Sequence, residues 1–227
     1  GEARIMTAES IKLYSYWRSS ACYRVRIALN LKHIDYQTLP IHLLRDGGEQ
    51  HGAQFSQLNP QELIPVLMHG DRVLRQSLAI IEYLDDIVES NPLLPAVARD
   101  RQRARAIAQM IACDIHPLGN LRVQQYLENH FGADQAQRDD WTRHWIRSGF
   151  TALEKVLRDS SSTGTFCEGD MPTIADCCLA PQAYNAVRFG IDLAEFPTIA
   201  RINAACMELP AFDAARPEKQ ADAPASA

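Results

Sequence analysis

The spacing of apolar positions changes several times along the chain, and each change predicts an element. An apolar, aromatic run through Tyr14, Tyr16 and Trp17 reads as a strand, breaks at Arg18, Ser19 and Ser20, and restarts with helical periodicity at Val25, Ala28, Leu29 and the aliphatic stem of Lys32. Residues 36–43 form a second strand, which Pro40 pushes to a sheet edge because proline cannot donate to a central ladder. After the polar loop LRDGGEQHGAQF, residues 63–68, the turn HGDR and Val73-Leu74 predict a hairpin. Ser77 is placed to N-cap a helix whose apolar face is Leu78, Ile81, Leu84 and Ile87 or Val88.

That order of strand, helix, three strands and helix fills about 90 residues, enough for one small α/β domain, placed at 10–90. Residues 91–99 carry two prolines and no period of their own, and read as a linker. From 100 to 216 the pattern is helical throughout. Ile107, Met110 and Ile111 share a face, Leu118, Leu121, Tyr126 and Leu127 continue the helical spacing, and Pro117 must interrupt it. Trp141, Trp145 and Gly149 recur every fourth residue beside Phe150, Leu153 and Leu157, as in a core helix. Thr173 and Asp176 have the spacing of a capping box opening the next helix. Residues 1–9 and 217–227 have too few large apolar groups to pack and are expected to lie outside the fold.

Composition narrows the class. A chain of 227 residues that is 46% hydrophobic can bury a sizeable core, in one large domain or two modest ones, and two is the preferred reading. A net charge of −5 argues against a nucleic-acid partner, which needs a basic face. No apolar run approaches the roughly 20 residues of a membrane span, and the start lacks a signal-peptide core. Cys22, Cys113, Cys167, Cys177, Cys178 and Cys206 form no CxxC pair and no zinc spacing, so a reduced, cytoplasmic protein is expected. The histidines lack metal spacing, and no metal is expected.

The stretches SYWRSSACYRVRIAL, LRDGGEQ, LNPQELIPVL, QSLAIIEYL, DIHPLGNLRV, TIADCCLAPQ and RFGIDLAEFPTI run nearly end to end. Together they resemble the cytosolic glutathione transferases, and most closely the zeta class of maleylacetoacetate and maleylpyruvate isomerases. The resemblance implies a thioredoxin-like α/β N-terminal domain followed by an all-α C-terminal domain. It also implies glutathione as cofactor, a homodimer, and a small dicarboxylate substrate from aromatic-compound breakdown. The family turn usually reads Ser-Ser-Cys-Ser; here Ser19-Ser20-Ala21-Cys22 moves the thiol by one residue, and Cys22 is read as a small buried group.

Ser19 and Ser20 open a helix, where unpaired backbone N–H groups attract an anion. A thiolate there is favoured over its thiol, so by resemblance Ser19 activates the glutathione sulfur with Ser20 as helper. Resemblance also assigns Ile64 and Pro65 a cis bond that presents the Ile64 backbone to the glutathione main chain. It assigns Gln76 and Ser77 to the γ-glutamyl carboxylate, Gln50 to the glycyl end, and His116 and Asn120 to ligand contacts. A cis-enedione diacid needs fixed positive charge, and Arg18, Arg122 and Arg188 occupy matching positions. The implied reaction is thiolate addition, bond rotation and elimination to the fumaryl isomer. Two other readings use the same residues: a zeta-type transferase or dehalogenase acting on α-halo acids, and a transferase-like interaction module without catalysis.

Overall fold

The computed structural model describes residues 9–227, so the expectation for residues 1–8 lies outside the described residues. Two compact units divide at Leu93, and the second gives the chain back to the first at Leu209.

In the first unit β1 (Ile11–Ser15) leads through α1 (Ser20–Leu31) to β2 (Gln37–Pro40), then α2 (Ala53–Leu58), the hairpin β3 (Val66–His69) and β4 (Arg72–Arg75), and α3 (Ser77–Ile87). The sheet order is β2-β1-β3-β4, with β1 and β2 parallel and the other two pairs antiparallel. β2 is an edge strand, as Pro40 requires. Strand period and burial agree in β1, where Ile11 and Leu13 are buried and Lys12 is exposed. The loop after β2 contains more structure than its polar composition suggests, with two short 3-10 turns and α2 anchored by buried Phe55. α1 packs on α3. Lys32 does not snorkel: it is fully buried, and its Nζ donates to Asp85 at 2.7 Å and to the carbonyls of Ser90 and Asn91 at 2.7 and 3.2 Å. These bonds, with buried Leu93, pack the start of the expected linker onto this unit.

The register gathers one end of the sheet. Tyr14 pairs with Val66, Val66 with Arg75, and Ser15 with Pro40. The exit of β1, the exit of β2, the entry to β3 and the exit of β4 therefore lie together, and the loops leaving them share one rim.

The second unit contains α4 (Ala98–Asp114), a 3-10 turn (His116–Gly119), α5 (Leu121–Phe131), α6 (Gln135–Arg158), α7 (Ile174–Arg188) and α8 (Pro197–Met207). Pro117 interrupts the first helical run as expected. The capping box at Thr173 and Asp176 is formed, and a second one at Asp134 and Gln137 opens α6. Gly149 has a packing reason: a Cβ there would lie 2.3 Å from Ile115 Cγ1. Among the described residues no helix is long and apolar enough to cross a membrane.

The C-terminal expectation is corrected. α9 (Pro210–Ala214) packs on α1, Phe212 and Pro217 are buried, and Asn30 Nδ2 donates to the Ala211 carbonyl at 3.0 Å. Residues 209–216 thus belong with the first unit, and 217–227 are placed against it. The count of apolar groups misses this because polar bonds to α1 and its preceding turn fasten the tail.

Candidate active site

The corner between β1 and α1 is a turn in which the Ser19 amide donates to the Tyr16 carbonyl at 3.0 Å. Ser19 is the N-cap of α1, and its Oγ accepts from the Cys22 amide at 3.2 Å. The first intrahelical donor is the Tyr23 amide, bonded to the Ser19 carbonyl at 2.9 Å, so the Ser20 and Ala21 amides open the helix without an intrahelical acceptor. With its oxygen accepting from the Cys22 amide, the Ser19 hydroxyl still carries one proton that it can donate. Half-buried Arg18 lays its guanidinium over the Trp17 ring, 5.2 Å from the centroid.

Cys22 is fully buried, and burial pushes its thiol pKa up against the opposing effects of Ser19 and Arg26. It serves as packing in the first helical turn, and no thiolate is available there.

Three further segments reach the same rim. The Ile64–Pro65 bond is cis and delivers the chain into β3. The preceding loop is tied down by Asn59, whose Nδ2 donates to the Leu63 carbonyl at 2.7 Å and whose Oδ1 accepts from the Gln61 amide at 3.2 Å. At the exit of β4, Gln76 has φ 69°, in the left-handed region, and its side chain donates to Gln61 Oε1 at 2.8 Å. Gln76 is the N-cap position of α3, so the expectation that Ser77 caps the helix is corrected: the turn at Gln76 makes Ser77 its first residue. Buried Ser77 accepts from Arg24 Nη1 at 3.1 Å, which leaves its hydroxyl proton for a ligand. Ile80 makes the first intrahelical bond of α3, to the Gln76 carbonyl, so the amides of residues 77–79 precede it.

Gln50 is buried, and its Nε2 donates to the Leu43 carbonyl at 3.3 Å. Its Oε1 is buried with no hydrogen-bond partner among the described residues. A buried orphan acceptor is unfavourable unless a ligand donor reaches it. Gly48, at φ +108°, lets the loop fold over this side chain; a Cβ there would come within 2.7 Å of it.

In the helical unit, His116 begins the 3-10 turn and Asn120 caps α5, accepting from the Leu121 amide at 2.7 Å. Arg122 is exposed in the first turn of α5; Arg188 is exposed at the end of α7, its guanidinium 5.1 Å from the Phe189 ring centroid. The structure thus gathers Ser19, Ser20, Arg18, Gln50, Ile64, Pro65, Gln76 and Ser77 at one rim of the first unit, while His116, Asn120, Arg122 and Arg188 belong to the second.

The sequence reading passed over the side chains behind the rim. Arg26 is fully buried; it donates to the Trp17 carbonyl at 3.0 Å, to Ser15 Oγ at 3.3 Å, and to the Ala215 carbonyl at 3.0 and 3.1 Å. Arg24 supports Ser77 as described. The signal was the RVRIAL segment, where two arginines interrupt a buried helical face and must find acceptors.

Residues 13–92 match the family model described as glutathione S-transferase, N-terminal domain. The chain is 50% identical over 214 residues to a probable maleylacetoacetate isomerase of Vibrio cholerae, covering 94% of this chain and 99% of that protein. A bacterial zeta-class maleylpyruvate isomerase, solved as its holo structure, superposes with a TM-score of 0.91 at 46% identity, covering 94% of this chain and all of that one. A maleylacetoacetate isomerase from Methylobacterium extorquens AM1, solved with malonate and glutathione bound, gives the same TM-score at 42% identity and 94% and 100% coverage.

Proposed function

Since the chain belongs to the zeta-class glutathione transferases, we propose that it is a glutathione-dependent cis–trans isomerase of maleylacetoacetate or maleylpyruvate, acting as a cytoplasmic homodimer. The observation that carries this reading is the rim itself: one hydroxyl and two free helix-end amides at Ser19–Ala21, with matching donors and acceptors for a tripeptide around them.

The residues present fit glutathione. The orphaned Gln50 Oε1 is an acceptor awaiting a donor, and the amides of residues 77–79 with the Ser77 hydroxyl suit the γ-glutamyl carboxylate. The Ile64 backbone, turned by the cis bond, suits the peptide main chain as an added strand would. Bound glutathione supplies a thiolate whose reversible addition to the conjugated double bond allows rotation about it. The chain's own groups would make that thiolate available: the Ser19 hydroxyl would donate to the charged sulfur, with the Ser20 and Ala21 amides beside it, so ionisation would be favoured over the free thiol pKa of about 8.5.

Arg18, Arg122 and Arg188 are assigned to the substrate, where a planar guanidinium grips a carboxylate in two places. Fixed cations also favour the negative charge that develops on the dione oxygen, without a general base. His116 and Asn120 are assigned to ligand contacts in the same scheme, Asn120 through the amide nitrogen that its capping role leaves unused.

The test is isomerisation of maleylacetone with glutathione at catalytic concentration. Turnover with no net consumption of glutathione is expected. Stoichiometric consumption, or turnover of dichloroacetate in preference to maleylacetone, would replace this reading with the transferase or dehalogenase one.

A further inference from the structure

The tail of the chain ends against the corner that carries Ser19. Asp222 Oδ2 accepts a hydrogen bond from the Trp17 amide at 2.9 Å, across 205 residues of sequence. Trp17 lies between β1 and α1, where neither a strand partner nor a helical turn supplies an acceptor, so its amide depends on a side chain. The turn that presents Asp222 is itself held: the Ala223 amide donates to the Gln220 carbonyl at 3.0 Å, and Gln220 Nε2 donates to the carbonyls of Ala214 and Arg216 at 3.0 and 2.8 Å. The same tail supplies the Ala215 carbonyl to Arg26, whose guanidinium also holds the Trp17 carbonyl. Both backbone groups of Trp17 are therefore fixed, the carbonyl through Arg26 and the amide by Asp222. The Asp222 carboxylate also offsets part of the effect of burial on the Arg26 charge.

Two functional groups hang on that residue. The Trp17 ring lies under the Arg18 guanidinium, and the turn from Tyr16 to Ser19 sets the direction of the Ser19 hydroxyl. We propose that Asp222 is a positioning residue of the active-site corner, holding the Trp17 amide so that Ser19 and Arg18 face their ligands. The inference rests on the isomerase reading for what the corner does, but not for how it is held.

The test compares Asp222→Ala, which removes the acceptor, with Asp222→Asn, which keeps one. Amide hydrogen exchange without ligand should speed up by about tenfold or more at the bonded amides of the corner, Trp17, Ser19 and Cys22, in Asp222→Ala, the effect of losing one charge-assisted bond, and stay near the parent in Asp222→Asn. Exchange in β3 and α3 should not change. With glutathione bound, Asp222→Ala should raise the pKa of the bound thiol and lower kcat/KM for maleylacetone about tenfold, with recovery in Asp222→Asn. The proposal is overturned if the corner exchanges as in the parent, or if the whole first unit exchanges faster together. It is equally overturned if the corner loosens while thiol pKa and kcat/KM stay put. A parent protein that neither binds glutathione nor isomerises would instead defeat the isomerase reading, and the exchange comparison would still decide the tail's hold on the corner.

Discussion

At the scale of single residues, the site divides its work between groups that face the ligand and groups that aim them. Ser19 is proposed to do both, since its oxygen caps α1 through the Cys22 amide and its hydroxyl is the donor offered to the ligand. Gln50 shows the opposite economy: its amide nitrogen is spent on the Leu43 carbonyl and its oxygen is stranded in the interior. Removing a stranded acceptor does not itself harm the unliganded fold, and on the proposed reading it deletes a bond to the bound ligand. Gln50→Ala should therefore raise KM for glutathione severalfold to about tenfold with kcat nearly unchanged, and lower the melting temperature only by the loss of the Leu43 bond, worth about 1 kcal/mol. A fall in kcat with unchanged KM would show that Gln50 acts on the reaction and not on binding. Cys22, one place from the family's cysteine, is removed from this chemistry by burial.

At the scale of elements, α6 offers a test of packing that no site residue touches. Its Gly149 admits the buried Ile115 side chain so closely that an added methyl group would overlap it. Gly149→Ala should destabilise the helical unit by about 1–3 kcal/mol despite alanine's better helix propensity, measured as a lower denaturation midpoint. A stabilised variant would mean that Ile115 relaxes freely. The four-residue spacing of Trp141, Trp145 and Gly149 predicted that packing face, and strand period, Pro40, Pro117 and the Thr173 capping box placed most elements, because each rests on local geometry. Local rules failed where the partner is distant in sequence. Lys32 reads as a snorkelling cation until Asp85 and two carbonyls from residues 90 and 91 appear around it. Ser77 reads as a cap until the left-handed Gln76 takes that place. The rim itself was legible through motifs, whereas Arg24, Arg26 and Asp222 behind it were not, since their acceptors and donors come from 9 to 205 residues away.

At the scale of the whole molecule, the proposed function asks an acidic chain of net charge −5 to bind an anionic peptide and a diacid, which requires positive potential concentrated locally. The proposed means are helix-end amides and individual arginines, not an overall basic surface. The tail from Leu209 belongs to the first unit, and α9 lies against α1, the helix that the Ser19 corner opens. The central claim is that this corner ionises the sulfur of glutathione, and the ultraviolet absorbance of the bound thiolate, titrated against pH, reads it most directly. The parent complex should titrate at least about one unit below free glutathione, and Ser19→Ala should recover one unit or more of that shift, the worth of one hydrogen bond to a charged group. A parent complex that titrates like free glutathione, or a Ser19→Ala complex that titrates like the parent, would contradict the account.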